Sequence, residues 1–169
     1  MLIILAALGV STLVMMFPVE NYFVTFESPT SAFNYVHADE NVDIVDIVDG
    51  KKSSMIVYLK DGAYSDMYVL RAEDGYKLVE PTPGNILELE SRGENRNLFF
   101  NNATGTHEYF FMNTVCFNGE PEISDSNGTQ FTIVPVTLGS HTSYIVYGYV
   151  GEVDANYYLT ISSENIGVK

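Results

Sequence analysis

Three histidines (His37, His107 and His141), one cysteine (Cys116) and twenty-two acids against eight bases are the side chains of this 169-residue chain with the means to do chemistry. His107-Glu108 opens like H-E-x-x-H, in which two histidines one helical turn apart bind zinc and the glutamate activates water. Phe111 stands where the second histidine belongs, and the run around it is strand-like, so the required helical spacing is missing. Asp125-Ser126-Asn127-Gly128 opens like a calcium loop, but the obligatory glycine position is Gln130 and no closing glutamate comes after it. Gly139-Ser140-His141 lacks the flanking glycine of a nucleophile elbow. A triad assembled from distant positions stays open as a route to hydrolysis, with His107 or His141 as base and a serine or Cys116 as nucleophile. Nothing singles out a carboxylate pair for glycosidic chemistry among so many acids. Glycine-rich phosphate loops are absent from the sequence. No metal site and no cofactor is expected.

The aromatic content is the other chemical signal: twelve Tyr, ten Phe and no Trp. Tyr147 and Tyr149 fall on one face of a strand-like run, and Tyr157 and Tyr158 lie in the next. These four are the candidate binding residues, as a platform for a sugar or a protein. The competing reading is a core boundary, with rings buried and hydroxyls reaching water. Lack of Trp, the favoured sugar-stacking surface, turns the balance away from glycans. A single cysteine excludes an intrachain disulfide and a cysteine-based zinc site, and Cys116 is expected to be buried as a small apolar residue. Asn102-Ala103-Thr104 and Asn127-Gly128-Thr129 match the glycosylation sequon, which has meaning only in a eukaryote.

The elements that must position these residues read as mostly β. Ser28-Pro29 marks a helix start, with serine as N-cap and proline in the first turn. Ala32, Phe33 and Val36 then share one face of a short amphipathic helix, expected to cover an end or edge of the strands after it. VDIVDIVDG, SMIVYLK, DMYVLRA and YKLVE come next, separated by Gly50-Lys51-Lys52-Ser53, Lys60-Asp61-Gly62 and Glu73-Asp74-Gly75. Asp-Gly between apolar runs is a strong hairpin signal because glycine accepts the positive φ such turns need. A four-strand meander is therefore expected over residues 20–80, after the short helix. Glu80-Pro81-Thr82-Pro83-Gly84-Asn85 interrupts strand and helix alike and sets a seam. Beyond it, over 86–169, ILELES, NLFF, HEYFFMNTVCF, TQFTIVPVTL, SYIVYGYV and NYYLTIS give six more strand-like runs. ILELES alternates as a strand with one wet face does. Pro135 has no N–H to give a ladder, so its strand is an edge or is bulged there. FNGEPEISDSNG reads as a loop. The fold class is all-β, a β-sandwich or open barrel behind an N-terminal helix, with the two β halves forming one domain or two.

Residues 2–17, LIILAALGVSTLVMMF, carry no charge. As a helix they would span roughly 24 Å, against a hydrocarbon thickness of about 30 Å. Val19, Tyr22 and Phe23 can extend the segment into the interface, where aromatic rings sit well. A cleaved signal would want a basic n-region and a small-x-small site, and neither stands here. A soluble core helix would need a polar face, which Ser11 and Thr12 hardly supply. The reading is a retained transmembrane anchor over 1–19, with a basic flank expected upstream of Met1. All eight Lys and Arg lie after Gly50, and seven acids precede it: Glu20, Glu27, Asp39, Glu40, Asp43, Asp46 and Asp49. Basic flanks are held on the cytoplasmic side, so the long C-terminal part is expected outside. A net charge of −14 argues against nucleic acid as a partner and against anionic lipid.

FESPTSAFNYVH followed by IVDGKKSSMIVYLKDG resembles single-pass, membrane-anchored extracytoplasmic proteins of Gram-positive bacteria. These join one N-terminal span to an "ESP-x-x-AF" helix and a β-meander. The resemblance covers roughly Leu2 to Val79 and implies a location, the cell membrane with the C-terminal body outside, without an activity. With no catalytic template met, the expected function is a membrane-tethered, non-catalytic interaction module of unknown partner, another envelope protein being the candidate. The alternatives are an envelope hydrolase with a loop-assembled site and an accessory subunit of a transporter or secretion complex.

Overall fold

The computed structural model describes residues 24–79, 86–91, 94–101, 108–116, 120–138, 141–153 and 157–162. The apolar run 2–17, the Glu80–Asn85 seam, the sequon at Asn102, His107 and Ser140 lie outside those residues. Among the described residues no helix is long and apolar enough to cross a membrane.

Among the described residues the one helix, α1 (Pro29–Val36), starts as its serine and proline dictate. The Ser28 hydroxyl accepts from the Ser31 N–H at 3.1 Å, and the Ser28 N–H donates to the Ser31 hydroxyl at 3.0 Å. Serine thus fills the place that glutamate or glutamine usually takes in a capping box. Ala32 and Phe33 are buried, but Val36 is 46% exposed, contrary to its expected place on the buried face. The ring of His37 continues the stripe instead, its centroid 4.5 Å from that of Phe33. The helix also covers a broad face of the first sheet rather than an end, because Phe33 packs with Ile56 and Val69 from two neighbouring strands.

That sheet is the expected meander: β1 (Val42–Asp49), β2 (Ser53–Lys60), β3 (Ala63–Ala72) and β4 (Gly75–Leu78), in that order and antiparallel. Between β2 and β3, Asp61 and Gly62 have φ of +52° and +80°. Positive φ at both central residues is what a two-residue type I′ turn demands. β1 has an acid at every third position, whereas a strand alternates every second. A bulge reconciles the two: Ile44 opposes Tyr58 and Asp46 opposes Val57, leaving Val45 as the extra residue. Ile44 and Ile47 then both face α1, while Val48 joins the opposite side.

The second half forms its own five-stranded sheet, ordered β5-β6-β7-β10-β9, and a two-stranded ribbon, β11-β8. Its strands are β5 (Ile86–Ser91), β6 (Glu94–Asn101), β7 (Tyr109–Cys116), β9 (Thr132–Leu138) and β10 (His141–Tyr149). Pro135 lies on β9, an edge strand of the sheet, where a residue without an N–H is tolerated. The ribbon corrects the loop expected over FNGEPEISDSNG: β8 (Glu122–Asp125) pairs with β11 (Leu159–Ser162). Its single apolar residue, Ile123, sits opposite Ile161 and is worth a strand only because that partner exists.

Packing orders these pieces into layers. Phe26, Phe33, Ile56 and Val69 fill the space between α1 and the meander. Met55, Val57 and Tyr68 meet Tyr109, Ile145 and Tyr147 between the two large sheets. Phe110, Val146, Val150 and Leu159 join the five-stranded sheet to the ribbon. β2 is therefore covered on both faces, with Met55, Ile56 and Val57 wholly buried. Each such side chain contributes about 1.5–3 kcal/mol of burial free energy.

Candidate functional site

Among the acids whose side chains are described most point to water, and Asp46, Asp66, Glu108 and Asp125 are drawn in from it. A carboxylate taken out of water needs a donor. In each of the four a hydroxyl is among the donors, and for Asp46 the Ile47 N–H donates to Oδ1 at 2.8 Å as well. The Tyr147 hydroxyl donates to Asp46 Oδ2 at 3.1 Å, from β10 across to β1. The Tyr68 hydroxyl donates to Asp66 Oδ2 at 2.5 Å, two residues along β3. Ser53 Oγ donates to Glu108 Oε2 at 2.6 Å, linking the start of β2 to the residue before β7. Asp125 accepts from Tyr157 at 3.0 Å and from the Thr129 hydroxyl and N–H at 2.6 and 2.7 Å.

Asp46 and Asp66 belong together. Both oppose Val57, one from each side, so the three form a row across the meander. Strands lie about 4.8 Å apart, which puts the two aspartate backbones roughly 10 Å from each other. Burial raises the carboxyl pKa of Asp66 above its usual value, against the opposing pull of the Tyr68 hydrogen bond. Burial also raises the Tyr147 phenol, to about 12, with the charge of Asp46 adding to it. A phenol this reluctant to ionise donates one proton to its carboxylate and keeps it.

The second cluster holds the sheets at one point. Tyr109, 1% exposed, donates its hydroxyl to the Ser53 carbonyl at 2.6 Å, and Ser53 Oγ lies 3.1 Å from the same phenol oxygen. Burial drives the Tyr109 pKa upward. Gly50 lies beneath these rings: a Cβ there would overlap the Tyr109 hydroxyl and come within 2.7 Å of the Tyr149 ring. Only hydrogen fits.

The four candidate tyrosines do not form one platform. Tyr147 is 2% exposed and lies in the inter-sheet core, and Tyr149 packs against that core with its ring edge-on to Tyr109, centroids 5.6 Å apart. Tyr157 belongs to the cluster on the far side of the five-stranded sheet, and Tyr158, 64% exposed, points outward. Tyr157 and Tyr158 also precede β11 rather than lie within it.

Of the remaining candidates, His141 and Cys116 stand two register positions apart on neighbouring strands of the five-stranded sheet. His141 opens β10, opposite Leu138, and Cys116 ends β7, opposite Ser143. Asp125 is already engaged by Thr129 and Tyr157, so the resemblance to a calcium loop reduces to a turn. Among the described residues no group of three metal-type ligands is found. Asn127 donates its amide to the Val150 carbonyl at 2.6 Å.

One constellation answers to none of the motifs in the sequence. His37 Nδ1 lies 2.5 Å from Glu40 Oε2, and Lys60 Nζ lies 2.7 Å from the other oxygen of the same carboxylate. Lys60 and then His37 hold the Glu40 carboxyl below its ordinary pKa. The His37 ring stands against Tyr58 as well as Phe33. A carboxylate on Nδ1 orients a histidine as in a catalytic dyad. Here the same carboxylate also binds a lysine, and the ring faces of the histidine meet two aromatics, which is a clasp between α1 and the end of β2. His-x-x-Glu just past a helix end was the available signal.

The chain matches no family model, and neither curated proteins nor solved structures show a significant match to it.

Proposed function

We propose that this protein is a membrane-tethered, extracytoplasmic interaction module that performs no catalysis. The observation that carries the reading is the fate of the four withdrawn carboxylates. Each is held by a hydroxyl that ties one element to another or a strand to itself, so these acids serve the fold. Function then falls to the outer surface and to a partner that recognises it. The tether rests on the uncharged run 2–17, the placement outside on the basic residues all following Gly50, and both agree with the membrane-anchored resemblance of Leu2 to Val79.

Mild detergent extraction of native membranes, followed by mass measurement of the solubilised species, tests this. The expected result is a complex heavier than the 18.8 kDa chain, holding a second envelope component in fixed ratio. Repeated recovery of the free monomer alone overturns the interaction reading. Protease added to intact cells is expected to digest the body; protection of the body overturns the placement outside.

A further inference from the structure

We infer that the outward face of α1 rests on the membrane surface, among the headgroups of uncharged lipid. The inference builds on the tethered reading above and adds an orientation that a tether by itself does not fix.

α1 is one outermost layer of the stack, and its exposed side carries Thr30, Asn34, Tyr35 and Val36. Tyr35 is 49% exposed and Val36 46%, two of the four large apolar side chains left open to water among the described residues. From Ser28 to Ala38 the chain has no Asp, Glu, Lys or Arg, although the protein as a whole carries −14. Charge returns on either side, with exposed Glu27 before the helix and exposed Asp39 after it, while Glu40 is held by Lys60. The neutral patch therefore has an acidic rim. Such a rim opposes anionic lipid and leaves a zwitterionic interface as the surface that fits. Tyrosine is the residue that bilayer interfaces favour.

Chain length supplies the second argument. Val24 already packs in the core beneath α1. With the anchor read over 1–19, only residues 20–23 separate it from Val24, at most about 15–20 Å when fully extended. A short leash holds the attached layer close to the bilayer, and a high effective concentration makes even a weak surface contact persist. The ribbon of β8 and β11 is the opposite outer layer, about 30 Å away at roughly 10 Å per layer.

The sequence has no tryptophan, so one substitution gives a single-reporter protein. Full-length Tyr35→Trp and Val36→Trp report on α1, and Tyr158→Trp reports on the ribbon side. Each is reconstituted into phosphatidylcholine vesicles with brominated acyl chains, which quench only at short range, and each is checked for native circular dichroism. The expected result is that all three float with the vesicles. At least one α1 reporter then loses most of its emission and shifts to the blue, while Tyr158→Trp stays bright and red. Flotation of all three with both α1 reporters unquenched overturns the orientation and leaves the tether standing. Equal quenching of all three also overturns it. Failure of all three to float removes the tether, and the orientation with it.

Discussion

At the scale of single residues, the chain has a shortage of cations and an answer to it. With eight bases for twenty-two acids, most carboxylates cannot find an ion-pair partner, and hydroxyls serve the four acids seen drawn in from water among the described residues. This accounts for a tyrosine-rich, tryptophan-free composition: a phenol brings apolar bulk and a donor on one side chain. Tyr147→Phe keeps the bulk and removes the donor from Asp46, and is expected to cost about 1–2 kcal/mol in urea unfolding. The raised Tyr147 pKa fixes a sign at high pH. The folded form holds its proton more tightly than the unfolded one, so stability is full below about pH 10 and falls as pH rises toward about 12. Thermal melts from pH 8 upward should show that fall, and Tyr147→Phe should make it shallower. Asp66 works the same way in the acid range. Its raised pKa means the charged carboxyl is a burden that grows as pH climbs through its titration. Asp66→Asn should therefore be more stable than the parent at neutral pH, with the gain shrinking on acidification. None of the long-range pairs was legible in the sequence, since Asp46 and Tyr147 stand 101 positions apart. Tyr68 and Asp66, two apart on one strand face, were within reach of the period-two pattern of a strand.

Among the elements, legibility followed local chemistry. The Asp-Gly turns and capped helix start were readable because a few adjacent residues determine them. The bulge in β1 was not, although the period-three acids of VDIVDIVD are its signature once a period-two strand is assumed. Val45 is the inserted residue, and removing it lets Ile44 and Asp46 alternate normally with every later side chain on its present face. Deletion of Val45 is accordingly expected to fold with a melting temperature near that of the parent. Deletion of Val57 from the regular strand opposite turns the following side chains to the wrong faces and should abolish cooperative melting. Gly50 makes a sharper case. Gly50→Ala drives a methyl into Tyr109 and Tyr149 and should cost about 1–3 kcal/mol by chemical denaturation. Gly75 has φ of +132° and the Phe26 carbonyl stands where any added Cβ would go. Its substitution would also break the paired bonds between Phe26 and Tyr76, 2.8 Å each. β8 was missed because its four residues hold one apolar side chain, and a strand of that kind exists only through its neighbour.

For the whole molecule, charge sets the terms. A body carrying −14 repels itself, and screening shortens that repulsion from about 10 Å at 0.1 M salt to about 3 Å at 1 M. The melting temperature is expected to climb as sodium chloride is raised, by calorimetry at constant pH; a flat or falling trend would mean local pairs outweigh the net field. The layered order of helix, meander, second sheet and ribbon could not be read from the sequence, because which face meets which is decided by side chains on distant strands. Two open margins of that stack share one property. β1 is kinked by Val45 and lined with acids, and β9 carries Pro135. At high local density copies of the protein collide with flanks aligned. A straight, greasy flank would zip to its neighbour and seed fibrils; a crooked, acidic one and one interrupted by an imino acid stop the zipper at its first teeth.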